Sequence, residues 1–167
     1  MLYRILIVVS IVVLAACTAE QLTNVITDSK SSFVVNGSGY TNAKFKGYAL
    51  DTASFARQVD SAAGLVVIAG LTTKSTENFA ITLTTQSIAP GSYQVNGAAG
   101  TTMTLVTSSG STPVTYIATS GSITIDSWGA VNGQCKGRFS GSFVLPSDPT
   151  NTVLQVTAGV FDVKRAS

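Results

Sequence analysis

The alternation of apolar and polar positions predicts strands from Ser32 onward and almost nothing else. Phe79, Ile81 and Leu83 alternate with Ala80, Thr82 and Thr84; Ile123 and Ile125 alternate with Ser122, Thr124 and Asp126. Successive side chains of a strand point to opposite faces, so a period of two sends one set to a core and the other to water. Leu65 to Ala69 is apolar at every position, as in a strand covered on both faces. The segment Cys135 to Leu145 is the most regular. Cys135, Gly137, Phe139, Gly141, Phe143 and Leu145 share one face, while Lys136, Arg138, Ser140 and Ser142 share the other. Between Val153 and Val163 the parity changes, from Leu154, Val156 and Ala158 to Phe161 and Val163; a bulge at Gly159 would restore one inward face.

Turn signals separate these runs: Pro90-Gly91, Asn96-Gly97, Ser109-Gly110 and Val131-Asn132-Gly133. No window carries a capped amphipathic helix. The nearest is Thr52 to Ala63, with Phe55, Ala56 and Val59 as its apolar positions and no strong cap pair. Short apolar runs punctuated by Gly, Asn, Ser and Pro predict a single all-β domain over residues 32–167, an antiparallel β-sandwich or β-barrel.

The N-terminus follows a different pattern. One positive charge in Met1 to Arg4 precedes an apolar run from Ile5 to Val13, and Leu14-Ala15-Ala16-Cys17 closes it. A basic start, a short apolar stretch and small residues form a secretory leader; the run is shorter than the roughly 20 apolar residues that span a bilayer. Leu-Ala-Ala-Cys resembles the lipobox of bacterial lipoproteins. The resemblance implies cleavage before Cys17, acyl chains on Cys17, a tether over residues 17–31 and attachment to a membrane by lipid. The residue after the cysteine is Thr18, not Asp, which by the same resemblance implies the outer membrane, with the periplasmic or surface face left open.

Composition then removes several chemistries. Of the 10 Lys and Arg, Arg4 alone lies in the leader, so the remainder is nearly balanced by 8 Asp and Glu, and no clustered basic sequence points to nucleic acid. There is no histidine, which excludes Ser-His-Asp and Cys-His nucleophiles and every metal site that uses His. With Cys17 acylated, Cys135 has no partner in the chain, and thiolate clusters and C-x-x-C redox chemistry are excluded; were Cys17 free, a Cys17–Cys135 disulfide would be the rival. Asp51, Asp60, Glu77, Asp126, Asp148 and Asp162 are scattered, without a motif for a catalytic pair. Asp148 and Asn151 lie in a Pro-rich loop that reads as a turn and lacks a calcium-binding pattern. No catalytic residue, metal ligand or cofactor is assigned.

A few residues stand out as candidates for binding. Trp128, the single Trp, follows a strand, where an aromatic can stack on a sugar or anchor a protein, or else cap the end of the fold. Lys136 and Arg138 face outward and could meet an anionic group, or belong to a solvated strand face. Cys135 lies on the inward face, where a lone cysteine packs as a small apolar residue. Thr52 and Ser61, in Asp51-Thr52-Ala53 and Asp60-Ser61-Ala62, resemble O-glycosylation acceptor sites of Bacteroidota.

The order of segments resembles uncharacterised all-β domains of unknown function found in lipoproteins of Bacteroidota. The residues that carry this are Pro90-Gly91-Ser92-Tyr93, Gly121-Ser122-Ile123-Thr124-Ile125, Gly137-Arg138-Phe139-Ser140-Gly141-Ser142-Phe143 and Gly159-Val160-Phe161-Asp162-Val163. The resemblance implies an antiparallel β fold behind a lipid anchor and brings no catalytic residues with it. The leading expectation is a lipid-anchored, non-enzymatic envelope module that binds a protein or glycan. Two alternatives are a carrier with an apolar cavity lined by Phe79, Ile81, Phe139 and Phe143, and a carboxylate-based glycan hydrolase.

Overall fold

The computed structural model describes residues 30–48, 53–72, 77–109 and 112–167. Ten strands follow one another: β1 (Ser32–Gly37), β2 (Tyr40–Gly47), β3 (Ser54–Gln58), β4 (Gly64–Leu71), β5 (Glu77–Thr85), β6 (Gly91–Gln94), β7 (Thr102–Ser109), β8 (Thr112–Trp128), β9 (Gln134–Leu145) and β10 (Asp148–Arg165). Between sandwich and barrel, the structure decides for the barrel. Strands β1, β2, β4, β5, β7, β8, β9 and β10 form a closed antiparallel ring, because β1 pairs with both β2 and β10, and β4 with both β2 and β5.

Two short strands complete the wall. In its upper part β10 pairs with β1, and near its end Lys164 and Arg165 pair in parallel with Phe55 and Ala56 of β3. Strand β3 also pairs with the first half of β4, from Ser54 opposite Ile68 to Gln58 opposite Gly64, and so fills the seam below the β1–β2 hairpin. Strand β6 lies along the second half of β8, which extends past the start of β7. Closure leaves the ring without free edges, the constraint that an open sheet of this length meets poorly.

The inward positions make one core. Phe33, Val35, Phe45, Ile68, Ile81, Leu83, Met103, Leu105, Ile123, Phe143 and Leu154 are at most 1% exposed. A water-sized void would expose part of its lining, so among the described residues the space around these side chains is filled by the chain itself. Phe33 stands at the centre, its ring 5.0 Å from Phe45, 5.1 Å from Phe79 and 5.5 Å from Phe139, in the tilted and edge-on arrangements that aromatic quadrupoles favour.

Strands β9 and β10 show why their glycines alternate with phenylalanines. Gly159 lies opposite Phe139, and Phe161 lies opposite Gly137. Each ring covers the glycine across from it: a Cβ on Gly137 would sit 2.3 Å from the Phe161 ring and 2.2 Å from the Thr124 carbonyl oxygen, and one on Gly159 would sit 2.8 Å from the Phe139 ring. The parity change in β10 is absorbed by a bulge between Val156 and Gly159, with Ala158 at φ 50°, so Leu154, Val156, Phe161 and Val163 all face inward.

Two expectations need adjustment. Thr52 to Ala63, the nearest helical candidate, holds β3 and a turn from residue 54 on; partners on both sides, β4 and β10, override a weak helical stripe. Trp128 does not follow a strand but ends β8. The turn at Val131-Asn132-Gly133 is present, with Asn132 at φ 68° and the Gly133 amide donating to the Ala130 carbonyl at 2.7 Å. The turn expected at Ser109-Gly110 runs into Gly110, outside the described residues.

Gly137→Ala is expected to destabilise the barrel by about 2–3 kcal/mol, the upper part of the overpacking range, because the clash involves a backbone carbonyl as well as a ring. Urea unfolding against Ser140→Ala, an exposed position on the same strand expected to stay within about 0.5 kcal/mol, checks this; equal midpoints would show that the Gly–Phe pairing is not a packing constraint.

Candidate functional site

Inside an apolar barrel, the polar side chains that remain are the first place to look for chemistry. At the end where β4 passes into β5, Glu77 continues the inward parity of Phe79, Ile81 and Leu83 and is 8% exposed. Its carboxylate accepts a hydrogen bond from Tyr40 Oη at 2.6 Å on one oxygen and from Thr72 Oγ1 at 3.0 Å on the other. Thr107 also hydrogen-bonds Tyr40, and Tyr116 lies close enough to feel the Glu77 charge. Burial, then the hydrogen bond to Glu77 and its charge, push the Tyr40 phenol far above its usual range; Tyr116 is pushed up by burial and by Glu77. Both phenols stay protonated at neutral pH and act as donors or packed rings, not as bases.

This cluster has a structural task. The backbone pairing of β2 with β4 is confined to Lys46–Leu71 and Gly47–Gly70, and β2 runs on beyond it towards the β1–β2 turn. Tyr40, at the far end of β2, reaches β5 through Glu77, so a side-chain hydrogen bond continues the closure where the backbone ladder stops. Among the described residues no ion pair involves Glu77.

The opposite end holds Trp128. Its side chain points into the barrel beside Gly64, where a Cβ would lie 2.7 Å from the indole and 2.9 Å from Ile88. Trp128 pairs in register with Cys135, which is free and fully buried; burial pushes its thiol above the usual range, against smaller opposing effects of the Gly129 backbone and the Arg165 charge. Arg165 ties this end together, donating to the carbonyl oxygens of Gly129 at 3.0 Å and Ser167 at 3.1 Å and to Gln58 Oε1 at 2.9 Å. The Trp128 indole nitrogen and the hydroxyls of Thr85 and Thr101 are buried without a hydrogen-bond partner. Trp128 is partly buried and packs against the core at this end.

Lys136 and Arg138 lie on the other face of the same wall. Lys136 Nζ is 3.5 Å from Asp162 of β10, and Arg138 donates to Asp126 of β8 at 2.9 Å, with both cations more than half exposed. The fold separates them from Trp128: they point to solvent and the indole points inward. Asp126 and Asp162 flank β9 on the convex outside, each beside a cation, and Asp60 sits in an exposed turn, held below the usual carboxylate range by the Ala63 and Ala62 amides. Among the described residues no two carboxylates converge in a cleft. Ser61 is exposed in the Asp60 turn; Cys17 and Thr52 lie outside the described residues.

Glu77, Tyr40 and Thr72 are the polar site that sequence reading passed over. Glu77 was within reach, since it shares parity with Phe79, Ile81 and Leu83. Tyr40 was not: Asn42, at φ 47°, interrupts the alternation between Tyr40 and the inward pair Ala43 and Phe45.

The molecule is thus a closed antiparallel barrel with a filled interior, one buried carboxylate latch and an indole at the opposite end. Residues 41–163 match the family model of a domain of unknown function, DUF6252, and the chain belongs to that family. No curated protein and no solved structure matches it.

Tyr40→Phe removes a hydrogen bond to a buried charge and is expected to cost about 1.5–3 kcal/mol at neutral pH. Because the folded chain holds the Tyr40 proton more tightly than the unfolded one, wild-type stability falls as pH rises past 10.0, the ordinary phenol value, and this fall should be shallower in Tyr40→Phe. Urea midpoints from neutral pH to about pH 11 check it; identical slopes would remove Tyr40 from the linkage. As the single Trp, Trp128 should emit at short wavelength, resist acrylamide quenching and ignore added glycans. Red-shifted, readily quenched emission would place it on the surface.

Proposed function

We propose that this protein is a lipid-anchored component of the cell envelope, in the outer membrane, whose barrel is a non-enzymatic module for binding a protein or glycan. The observation that carries the reading is the filled interior: Phe79, Ile81, Phe139 and Phe143, the residues a carrier would need around a cavity, are at most 3% exposed, and Phe79 and Phe139 pack on Phe33. Recognition then falls to the outer surface. The scattered acids favour the same conclusion over glycan hydrolysis, which needs two carboxylates about 5–10 Å apart across a substrate cleft. The leader, with Leu14-Ala15-Ala16-Cys17, supports the anchor.

The outer wall offers a surface for a partner. Thr82, Thr104, Ile117, Val144 and Val153 lie in register across β5, β7, β8, β9 and β10, a row without a charged side chain. Ile117 is 46% exposed and Val153 36%, an apolar centre among hydroxyls.

Intact mass and membrane fractionation of wild type against Cys17→Ala test the anchor, and a photo-crosslinker at Ile117 tests the surface. The expected results are a lipid mass increment and membrane retention lost together in Cys17→Ala, and one crosslinked partner lost when Val153→Lys is added. A membrane-bound chain with unmodified Cys17 would refute the lipid anchor. Crosslinking unaffected by Val153→Lys would refute this face.

A further inference from the structure

The cations of the barrel are not spread around it. Lys44 and Lys46 lie on β2, Lys136 and Arg138 on β9, Lys164 on β10 and Lys30 just ahead of β1, and these strands are neighbours in the order β2-β1-β10-β9. The register sets Lys46 beside Ser32, Ser32 beside Val160 and Val160 beside Arg138, so one row of three strand steps, about 15 Å, carries a cation at each end. Lys44 is exposed on the same side, and Lys136 and Arg138 are 53% and 66% exposed. The acids on this side are Asp162, Asp148 at the start of β10 and, at the margin, Asp126; they are outnumbered by the six cations, and exposed pairs of this kind hold their cations weakly, which leaves a net positive face. Of the remaining strands, β3, between β10 and β4, adds the exposed Arg57, while β4, β6 and β7 carry no charged residue, Glu77 of β5 points inward, and β8 contributes Asp126 alone. Lys74 lies outside the described residues.

The chain enters the barrel in the middle of this basic side. Ser31 is buried between β2 and β10: its carbonyl accepts from the Gly47 amide at 2.9 Å, and its hydroxyl accepts from the Asp162 amide at 3.0 Å. Lys30 therefore joins the barrel among these cations, and the fourteen residues from Cys17 to Lys30, at about 3.3–3.6 Å per residue, span at most roughly 50 Å. A tether from that point lets the basic side meet the surface to which it leads.

We propose that the β2-β1-β10-β9 side of the barrel lies against the anionic, phosphate-bearing headgroups of the membrane, holding the uncharged β5-β7-β8 side away from it. This rests on the lipid-anchored reading and adds an orientation to it. With acyl chains holding the protein at the membrane, a basic surface adds attraction to anionic headgroups and so sets which side of the barrel lies against them. The orientation also leaves Ile117, on β8, facing away from the lipid.

The test is amine acylation of the full chain on two kinds of vesicle, phosphatidylcholine alone and roughly two parts phosphatidylcholine to one of phosphatidylglycerol, read lysine by lysine by mass spectrometry. Labelling of Lys44, Lys46 and Lys136 should fall several-fold on the anionic vesicles, recover at roughly 0.5 M salt, and stay unchanged on the neutral ones. In Lys44→Glu with Lys46→Glu, Lys136 should label equally on both, with Trp128 emission reporting that the barrel is intact. Equal labelling of the wild-type lysines on the two vesicles overturns the orientation. The intact mass of Cys17 is read in the same samples: an acylated chain with equal labelling keeps the anchor and refutes the orientation. An unacylated chain with anionic protection does the reverse.

Discussion

Strands β9 and β10 depend on each other in a way that constrains the rest of the barrel. Phe139 covers Gly159, and Phe161 covers Gly137, across two adjacent strands. A side chain on either glycine would meet a ring and a backbone carbonyl, so the two strands have one register in which all four residues fit. That register brings Phe139 to Phe33, and Phe33 meets its cross-strand partner Phe45 and, from β5, Phe79. The bulge before Gly159 serves the same end. Without it, either Val156 and Leu154 or Phe161 and Val163 would face water, a loss of about 1.5–3 kcal/mol for each large apolar side chain left outside.

Closure is the second constraint, and it is met unevenly. Most neighbouring strands share long ladders, but β2 and β4 share two residue pairs. The Tyr40–Glu77 hydrogen bond above that short ladder and β3 below it complete the seam. A buried carboxylate costs less when hydrogen bonds replace its water, and here two hydroxyls do so. Glu77 is thus better understood as a fastening of the wall than as a catalytic acid. The two tyrosines near it, held protonated by burial, fit that role.

With the inside occupied by packing, the proposed binding role rests on the outside, and the outside has two characters. One side is cationic and surrounds the point where the chain enters; the other, over β5, β7 and β8, is hydroxyl-rich and exposes Ile117.

The sequence by itself determined the all-β class, the start of the domain near Ser32, the inward face of Cys135 to Phe143 and the extra residue near Gly159. All of these follow from local alternation, which a strand converts directly into two faces. Glu77 was legible by the same parity. Tertiary structure alone decided that the sheet closes into a barrel, because closure depends on pairing β1 with β10 across more than a hundred residues of chain, and no local pattern encodes that partner. It turned the weak helical stripe after Thr52 into β3 by offering two edges to pair with. It set Trp128 inside and Lys136 and Arg138 outside, and it drew cations from both ends of the chain to one side. Alternation fixes which face a residue takes along its own strand; only the order of strands around the ring fixes which faces become neighbours.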